Sequence, residues 1–201
     1  MKPIALVANG EIENLDLIAS IIRKYPRVIA VDGGLGYCDL MGITPELIIG
    51  DFDSASKALR EKYIQVKQIH TPDPQKTDLE KALELVPSQK WQVFGALGKR
   101  TDHTLTNIYL LARYPGRLFF ETEHERLFVI DRECSLSCNE GQILSLIPVS
   151  GEAKGVTTSG LKWELKNATL SKTFVSISNI TTHDRIEITC ESGDLLLCLN
   201  K

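Results

Sequence analysis

No apolar stretch in the 201 residues approaches the roughly 18 to 20 needed to cross a bilayer. The opening Met1-Lys2-Pro3-Ile4-Ala5-Leu6-Val7-Ala8 is also too short for a secretory leader. The chain is therefore expected in the cytoplasm, with no membrane partner. It has no surplus of positive charge either: 23 Lys and Arg stand against 26 Asp and Glu, a net charge of -3. Without a global basic field to attract nucleic acid, any phosphate site has to be local. Cysteine is sparse. The five (Cys38, Cys134, Cys138, Cys190, Cys198) are odd in number and no two have Cys-x-x-Cys spacing, which argues against a disulfide framework or a structural zinc and for reduced, buried thiols. Internal repeats, low-complexity tracts and the Gly-x-x-x-x-Gly-Lys-Ser/Thr loop of a P-loop kinase are all missing.

What is present reads as an ordinary folded chain. Hydrophobic residues make up 43% and charged residues 24%, inside the usual range for globular domains. Short β-rich runs at 4–8, 27–31, 47–49, 66–69, 92–94, 117–121 and 127–130 alternate with helical patterns. That alternation is the signature of an α/β domain with a mainly parallel sheet and helices on both faces, a three-layer arrangement. Leu15, Ile18, Ala19 and Ile22 form one apolar helical stripe behind Asn14 as N-cap. Thr77-Asp78-Leu79-Glu80 has capping-box spacing. A third helix is expected to bury Leu105, Ile108, Tyr109 and Ala112. Beyond about Cys134 the helical stripes stop, and runs at 143–147, 173–177, 186–190 and 195–199 are separated by Gly, Ser, Asn and Asp. We therefore expect an α/β catalytic domain over 1–132 and an antiparallel β-sandwich over 133–201.

Carboxylates recur where these strands end. Pro45-Glu46-Leu47-Ile48-Ile49-Gly50-Asp51-Phe52-Asp53-Ser54 runs a strand into two acids one residue apart. In extended backbone these would face the same side, and a divalent cation between them would relieve their repulsion. An ordinary solvated turn before a helix near Ser56 explains the pair equally well on its own. Asp32-Gly33-Gly34 follows another strand, with glycines that permit free φ angles and close approach to a ligand, and Asp73 and Asp78 follow a third. Ligands of open α/β sheets bind at these strand ends. The segment Phe94-Gly95-Ala96-Leu97-Gly98-Lys99-Arg100-Thr101-Asp102-His103 is a glycine-punctuated strand-to-helix loop whose two cations suit polyphosphate oxygens. By itself His103 reads as a structural hydrogen-bonding histidine.

In that order, together with Gly160-Leu161-Lys162-Trp163 and Ser178-Asn179, these pieces resemble thiamine pyrophosphokinase along nearly the whole chain. The resemblance implies a homodimer that transfers a diphosphate from ATP to the hydroxyl of thiamine and releases AMP. It assigns Asp51, Asp53 and Asp78 to Mg²⁺ and, with Asp102, to catalysis. It places Asp32, Gly33, Gly34, Asp73, Lys99, Arg100 and His103 around the nucleotide. Trp163, Ser178 and Asn179 would form the thiamine site, which lies at the subunit interface in this family. A thiazolium cation is attracted by an indole face by about 0.5 to 2 kcal/mol.

Two positions depart from the family pattern. Gln75 stands where an acid is frequent, which would bring Asp73 or a water into the metal shell, and Lys99 stands where a second glycine is usual. Either Asp78 or Asp102 could accept the hydroxyl proton. An Asp-x-Asp nucleotide-sugar transferase would explain the acids but not the 95–103 loop or the β-rich second half. A haloacid-dehalogenase phosphatase fits worse, because Ala55 occupies the place of the Thr or Val in its nucleophile motif. A non-enzymatic nucleotide sensor would have little use for several acids converging on one metal.

Overall fold

The computed structural model describes residues 3–201. Two compact units are present: Met1–Asn107 with Phe120–Glu123, and Ile108–Phe119 with His124–Lys201. The division is thus not a single cut in the chain. Through the first stretch the elements are β1 (Ile4–Val7), α1 (Leu15–Ile22), β2 (Val28–Val31), α2 (Gly34–Leu40), β3 (Leu47–Gly50), α3 (Lys57–Lys62), β4 (Lys67–His70), α4 (Asp78–Leu85), β5 (Trp91–Phe94), α5 (Thr101–Arg113) and β6 (Leu118–Glu121). They are followed by β7 (Glu125–Val129), β8 (Glu133–Ser137), β9 (Ile143–Pro148), β10 (Ala153–Ser159), β11 (Ala168–Leu170), β12 (Ser176–Ile180), β13 (Arg185–Thr189) and β14 (Leu195–Asn200).

In the first unit β5, β1, β2, β3 and β4 lie side by side in that order, all parallel. Ile4-Ala5-Leu6-Val7 and Trp91-Gln92-Val93-Phe94 are buried at every residue, as strands covered on both faces must be. Because the chain adds β2, β3 and β4 on one side of β1 and then β5 on the other, the strand order reverses at β1 and β5. A crevice opens at such a reversal, outside the carboxyl ends of the strands.

The local signals for α1 and α4 hold. Asn14 accepts the Leu17 N–H at 3.0 Å while Ile18, Ala19 and Ile22 turn inward, and Thr77 accepts the Glu80 N–H at 3.3 Å. Helix α5 corrects the expected stripe: Leu105 and Tyr109 are exposed, and Asn107, Leu110 and Leu111 face inward. The polar Asn107 is accommodated because its Nδ2 donates to the Ala96 carbonyl at 2.7 Å. Helix α2 lies where a ligand-facing turn was expected. Neither Gly33 nor Gly34 has a positive φ, and what Gly34 supplies is space, since a Cβ there would lie 1.9 Å from the Val7 carbonyl oxygen.

The second unit carries a run of antiparallel strands in the order β12-β9-β14-β7 and a separate four-stranded antiparallel sheet, β11-β10-β13-β8. Alternation builds the core between them. Leu144, Leu146, Leu195 and Leu197 come from one sheet and Val156, Leu170, Ile186 and Ile188 from the other, each worth about 1.5–3 kcal/mol when fully buried. This is the expected sandwich. The run at 173–177 corresponds to β12, displaced toward the C-terminus, and β8, β10 and β11 were not foreseen. All five cysteines are free. Among the described residues no helix is long and apolar enough to cross a membrane.

Candidate active site

The carboxyl ends of the five parallel strands surround a cavity of about 650 Å³. Its walls include Asn9 and Gly10 after β1, Asp32 after β2, Asp51 and Asp53 after β3, Asp73 to Thr77 between β4 and α4, Asp78, Leu79 and Lys81 in α4, and Gly95, Lys99, Arg100, His103 and Asn107 from the β5 side. Asp32, Asp51 and Asp78 each offer a carboxylate oxygen, and the three atoms lie within 4.8 Å of one another. At that separation two full charges repel by about 3 kcal/mol in an effective dielectric of 20. The cluster is therefore strained as long as it stays ionised.

The surroundings make a cation the natural remedy. Asp32 is only 5% exposed, and its Oδ1 is buried with no hydrogen-bond partner, an arrangement that costs free energy unless something electropositive faces it. Burial raises the pKa of Asp32 above the usual carboxylate range. Burial also raises that of Asp78, outweighing the stabilising hydrogen bond from Lys81. Oxygen donors, converging charge and an unpartnered buried oxygen fit a hard divalent cation such as Mg²⁺.

Asp53 is not part of this trio. The expectation that Asp51 and Asp53 share a volume rested on extended backbone, but β3 ends at Gly50 and Phe52 adopts φ 67°. Alternation is broken there. Asp53 is exposed on the cavity wall, its carboxylate accepting the Ser54 hydroxyl at 2.8 Å and its N–H donating to Asp51 Oδ1 at 3.1 Å. The left-handed Phe52 is held by its ring, which stacks on His70 at 5.6 Å and lies 4.8 Å below the Arg60 guanidinium. Strained backbone of this kind persists where surrounding contacts fix it, and it gathers at functional sites. Asp32 (φ 44°) and Lys99 (φ 56°) line the same cavity.

Space is equally constrained. A Cβ at Gly50 would lie 2.7 Å from the Asp32 Cβ, so Gly50→Ala is expected to push Asp32 out of the trio. Such overpacking costs about 1–3 kcal/mol, and for a chain of this size each of those lowers the melting temperature by roughly 2–4 °C. Thermal melting and turnover of Gly50→Ala should fall together, and an unchanged turnover would remove Asp32 from the site.

Lys99 Nζ lies 3.3 Å from Asn9 Oδ1 and 4.8 Å from the centre of the Tyr37 ring, whose hydroxyl donates to the Gly10 carbonyl. Arg100 binds Asp102 through both Nε and an Nη, at 3.1 and 2.5 Å. That pair holds the Asp102 pKa down to about 2, so Asp102 is a weak proton acceptor in this arrangement. It is also not in the cavity wall, whereas Arg100 and His103 are. Asp73 and Gln75 both reach the wall, and Asp73 Oδ1 accepts the Gln75 N–H at 2.9 Å. Gly33 and Gly34 stand behind the wall rather than on it. Sequence reading passed over Asn9, Ser54, Lys81 and Asn107 as wall residues. The pair Asn9-Gly10, directly after β1, was the available signal for the first.

In the second unit Trp163 is 55% exposed rather than a core aromatic, with Lys162 Nζ 4.7 Å from its ring centre. Asn179, 1% exposed, holds the backbone of that loop: its Oδ1 accepts the Trp163 N–H at 3.1 Å and its Nδ2 donates to the Trp163 carbonyl at 2.7 Å. Ser178 is exposed at φ 56°, and its N–H donates to the Ser145 hydroxyl. Asn179 is thus placed to position Trp163.

The family description "Thiamin pyrophosphokinase, catalytic domain" matches residues 18–120, and "Thiamin pyrophosphokinase, vitamin B1 binding domain" matches residues 129–195. The chain belongs to the thiamin pyrophosphokinase family. It is 30% identical to thiamine pyrophosphokinase of Bacillus subtilis (strain 168), with 98% of each chain covered. To thiamine pyrophosphokinase 1 of Oryza sativa subsp. japonica it is 30% identical over 76% of this chain and 65% of the rice protein. The crystal structure of the Bacillus subtilis enzyme superposes with a TM-score of 0.83 at 27% identity, covering 100% of this chain and 99% of that one. Thiamin pyrophosphokinase from Candida albicans gives a TM-score of 0.87 at 20% identity over 99% and 88% of the two chains, a likeness of fold. Both matched domains of the family are therefore present, with the Asp cluster in the first and Trp163, Ser178 and Asn179 in the second.

Proposed function

We infer that this thiamin pyrophosphokinase family member transfers a diphosphate group from ATP to the hydroxyl of thiamine, giving thiamine diphosphate and AMP. The observation that carries the reading is the cavity in which Asp32, Asp51 and Asp78 converge and whose wall also carries Lys99 and Arg100. Acids gathered for a metal and cations aimed at phosphates are the two halves of a polyphosphate site. Mg²⁺ held by the trio, with Asp53 beside it, would withdraw charge from the phosphate oxygens and orient them. The hydroxyl oxygen bonds to the β-phosphorus, the bond from that phosphorus to the oxygen bridging to the α-phosphate breaks, and AMP departs with the electron pair. The hydroxyl proton passes to a carboxylate. Asp78 suits this better than Asp102, because it lines the cavity and Asp102 does not. Most of the acceleration is positioning and fixed electrostatics.

We assign thiamine to the second unit through the exposed Trp163, and read Asp73, Lys99, Arg100 and His103 as nucleotide contacts. A cytoplasmic homodimer completes the proposal, supported by the half-exposed Trp163, Phe174 and Ile177, apolar surface that a second subunit would cover. The sugar-transferase and sensor readings gain nothing from either matched domain. Incubation with ATP, Mg²⁺ and thiamine, with AMP resolved from ADP, tests the reaction. AMP in step with thiamine diphosphate supports it, ADP would make the protein a simple kinase, and neither product would leave a binding module.

Lys99 offers a narrower test, because a strained side-chain-bearing residue occupies a glycine-like conformation. Lys99→Gly should relieve about 1–2 kcal/mol of left-handed strain while giving back roughly 0.5–1 kcal/mol in unfolded-chain entropy. The expected net is a melting temperature unchanged to about 6 °C higher, read by calorimetry. Its apparent KM for ATP should rise about fivefold with that for thiamine unchanged. An unchanged ATP KM would take Lys99 away from the phosphates.

A further inference from the structure

We propose that Lys81 is a positioning residue that holds Asp78 in its metal-directed orientation, an inference that rests on the metal site proposed above. Lys81 is the one basic side chain in the buried set among the described residues, at 6% exposed. Lysine is almost never buried to this degree unless it is paired. Its Nζ donates to the Thr71 carbonyl at 2.8 Å and to Asp78 Oδ1 at 3.0 Å. The i, i+3 spacing on α4 puts Lys81 and Asp78 on one helical face. Thr71 belongs to the segment between β4 and α4, so a single ammonium ties that segment to the acid that opens the helix.

These bonds oppose a definite force. Asp78 stands within 4.8 Å of the carboxylate oxygens of Asp32 and Asp51, and the mutual repulsion would swing an untethered carboxylate toward solvent. Asp78 itself lines the main cavity of about 650 Å³, so open space exists for such a swing. Charge balance points the same way: three carboxylates and one ammonium sum to two negative charges, which one divalent cation neutralises. An exposed pair such as Lys76 with Glu84, at 2.8 Å, has no comparable duty and contributes little even to stability.

The test compares Lys81→Met, Lys81→Gln and Lys81→Arg with the parent chain. Mn²⁺ binding to the nucleotide-free protein is followed by electron paramagnetic resonance, after each variant is shown to melt cooperatively. Groups that hold a metal ligand from behind change metal affinity by about 10–100-fold, so Lys81→Met should weaken Mn²⁺ binding at least tenfold. In turnover kcat should fall about 30-fold while KM for thiamine stays within about twofold. Lys81→Arg, which restores charge and donors, should recover most of the Mn²⁺ affinity. Lys81→Gln retains a donor for Thr71 without the charge, and replaces Lys81→Met as the deciding variant if the latter does not fold. Mn²⁺ binding as tight as in the parent, or tighter, overturns the proposal, because tighter binding is what loss of a mere counter-charge would produce. Absence of AMP formation in the parent would instead count against the reaction, and the Mn²⁺ result would stand apart from it.

Discussion

Asp51→Asn is expected to lower turnover by about 10²–10³-fold, the range for losing a group that stabilises transition-state charge, while raising the melting temperature of the metal-free protein. The two effects have one cause. Asparagine keeps the shape of Asp51 and an oxygen for the Asp53 N–H, now 3.1 Å away, but removes one of three charges crowded within 4.8 Å. Each pair repels by about 3 kcal/mol at an effective dielectric of 20. Asp51 is only partly buried, and solvent screening reduces the gain to about 1 kcal/mol, or roughly 2–4 °C. With saturating Mg²⁺ the order should invert, since only the parent retains the full ligand set and bound metal stabilises the fold by mass action. Paired calorimetry with and without Mg²⁺, beside turnover, reads all three effects. Activity near that of the parent would take Asp51 out of the site, and a large fall in the metal-free melting temperature would make it structural. Asp53→Asn is expected to cost less, because that side chain stands outside the trio. An equal loss would mean that the loop from Asp51 to Ser54 closes on the loaded site.

How far the sequence alone reaches is clearest at these same residues. The strand-end acids pointed to the cavity because topology, not local detail, places them: parallel strands bring their carboxyl ends to one edge whatever the loops do. Which acids meet is a matter of loop geometry. Phe52 at φ 67° turns Asp53 aside, and Asp32 joins Asp51 and Asp78 only because Gly50 leaves it room. Neither a left-handed phenylalanine nor a missing Cβ contact has a signature in residue spacing. Helices α1 and α4 announced themselves through their caps, which are local. In α5, by contrast, apolar residues lie on more than one face, and the hydrogen bond of Asn107 to Ala96, made across the fold, decides which face goes inward. In the sandwich, β9, β13 and β14 were visible as apolar runs. Strands β8 and β10, Glu-Cys-Ser-Leu-Ser and Ala-Lys-Gly-Val-Thr-Thr-Ser, carry too few large apolar residues to stand out. Their pairing partners, not their own propensity, make them strands.

Trp163→Ala is expected to raise the apparent KM for thiamine about 2- to 30-fold, the equivalent of the roughly 0.5–2 kcal/mol by which an indole face attracts a cation. The ring already shows this attraction, since Lys162 Nζ lies 4.7 Å from its centre, and a thiazolium would either displace that ammonium or take the opposite face. Because Trp163 is more than half exposed, truncation should leave melting within about 2 °C of the parent, as for surface changes generally. The loss then reads as binding alone, with KM for ATP and kcat nearly constant. Trp163→Phe should lie between the two, keeping a smaller aromatic face. Asn179→Ala should reproduce the thiamine effect indirectly and with a lower melting temperature, since it frees both backbone groups that fix Trp163 and leaves them without their buried partner. If the acceptor site is shared between subunits, coexpressing Trp163→Ala with Asp51→Asn chains should yield mixed dimers more active than either variant, each supplying what the other lacks. A folded Trp163→Ala protein with parental thiamine kinetics would remove this tryptophan from the acceptor site and leave the half-exposed Phe174 and Ile177 as the apolar surface to test next.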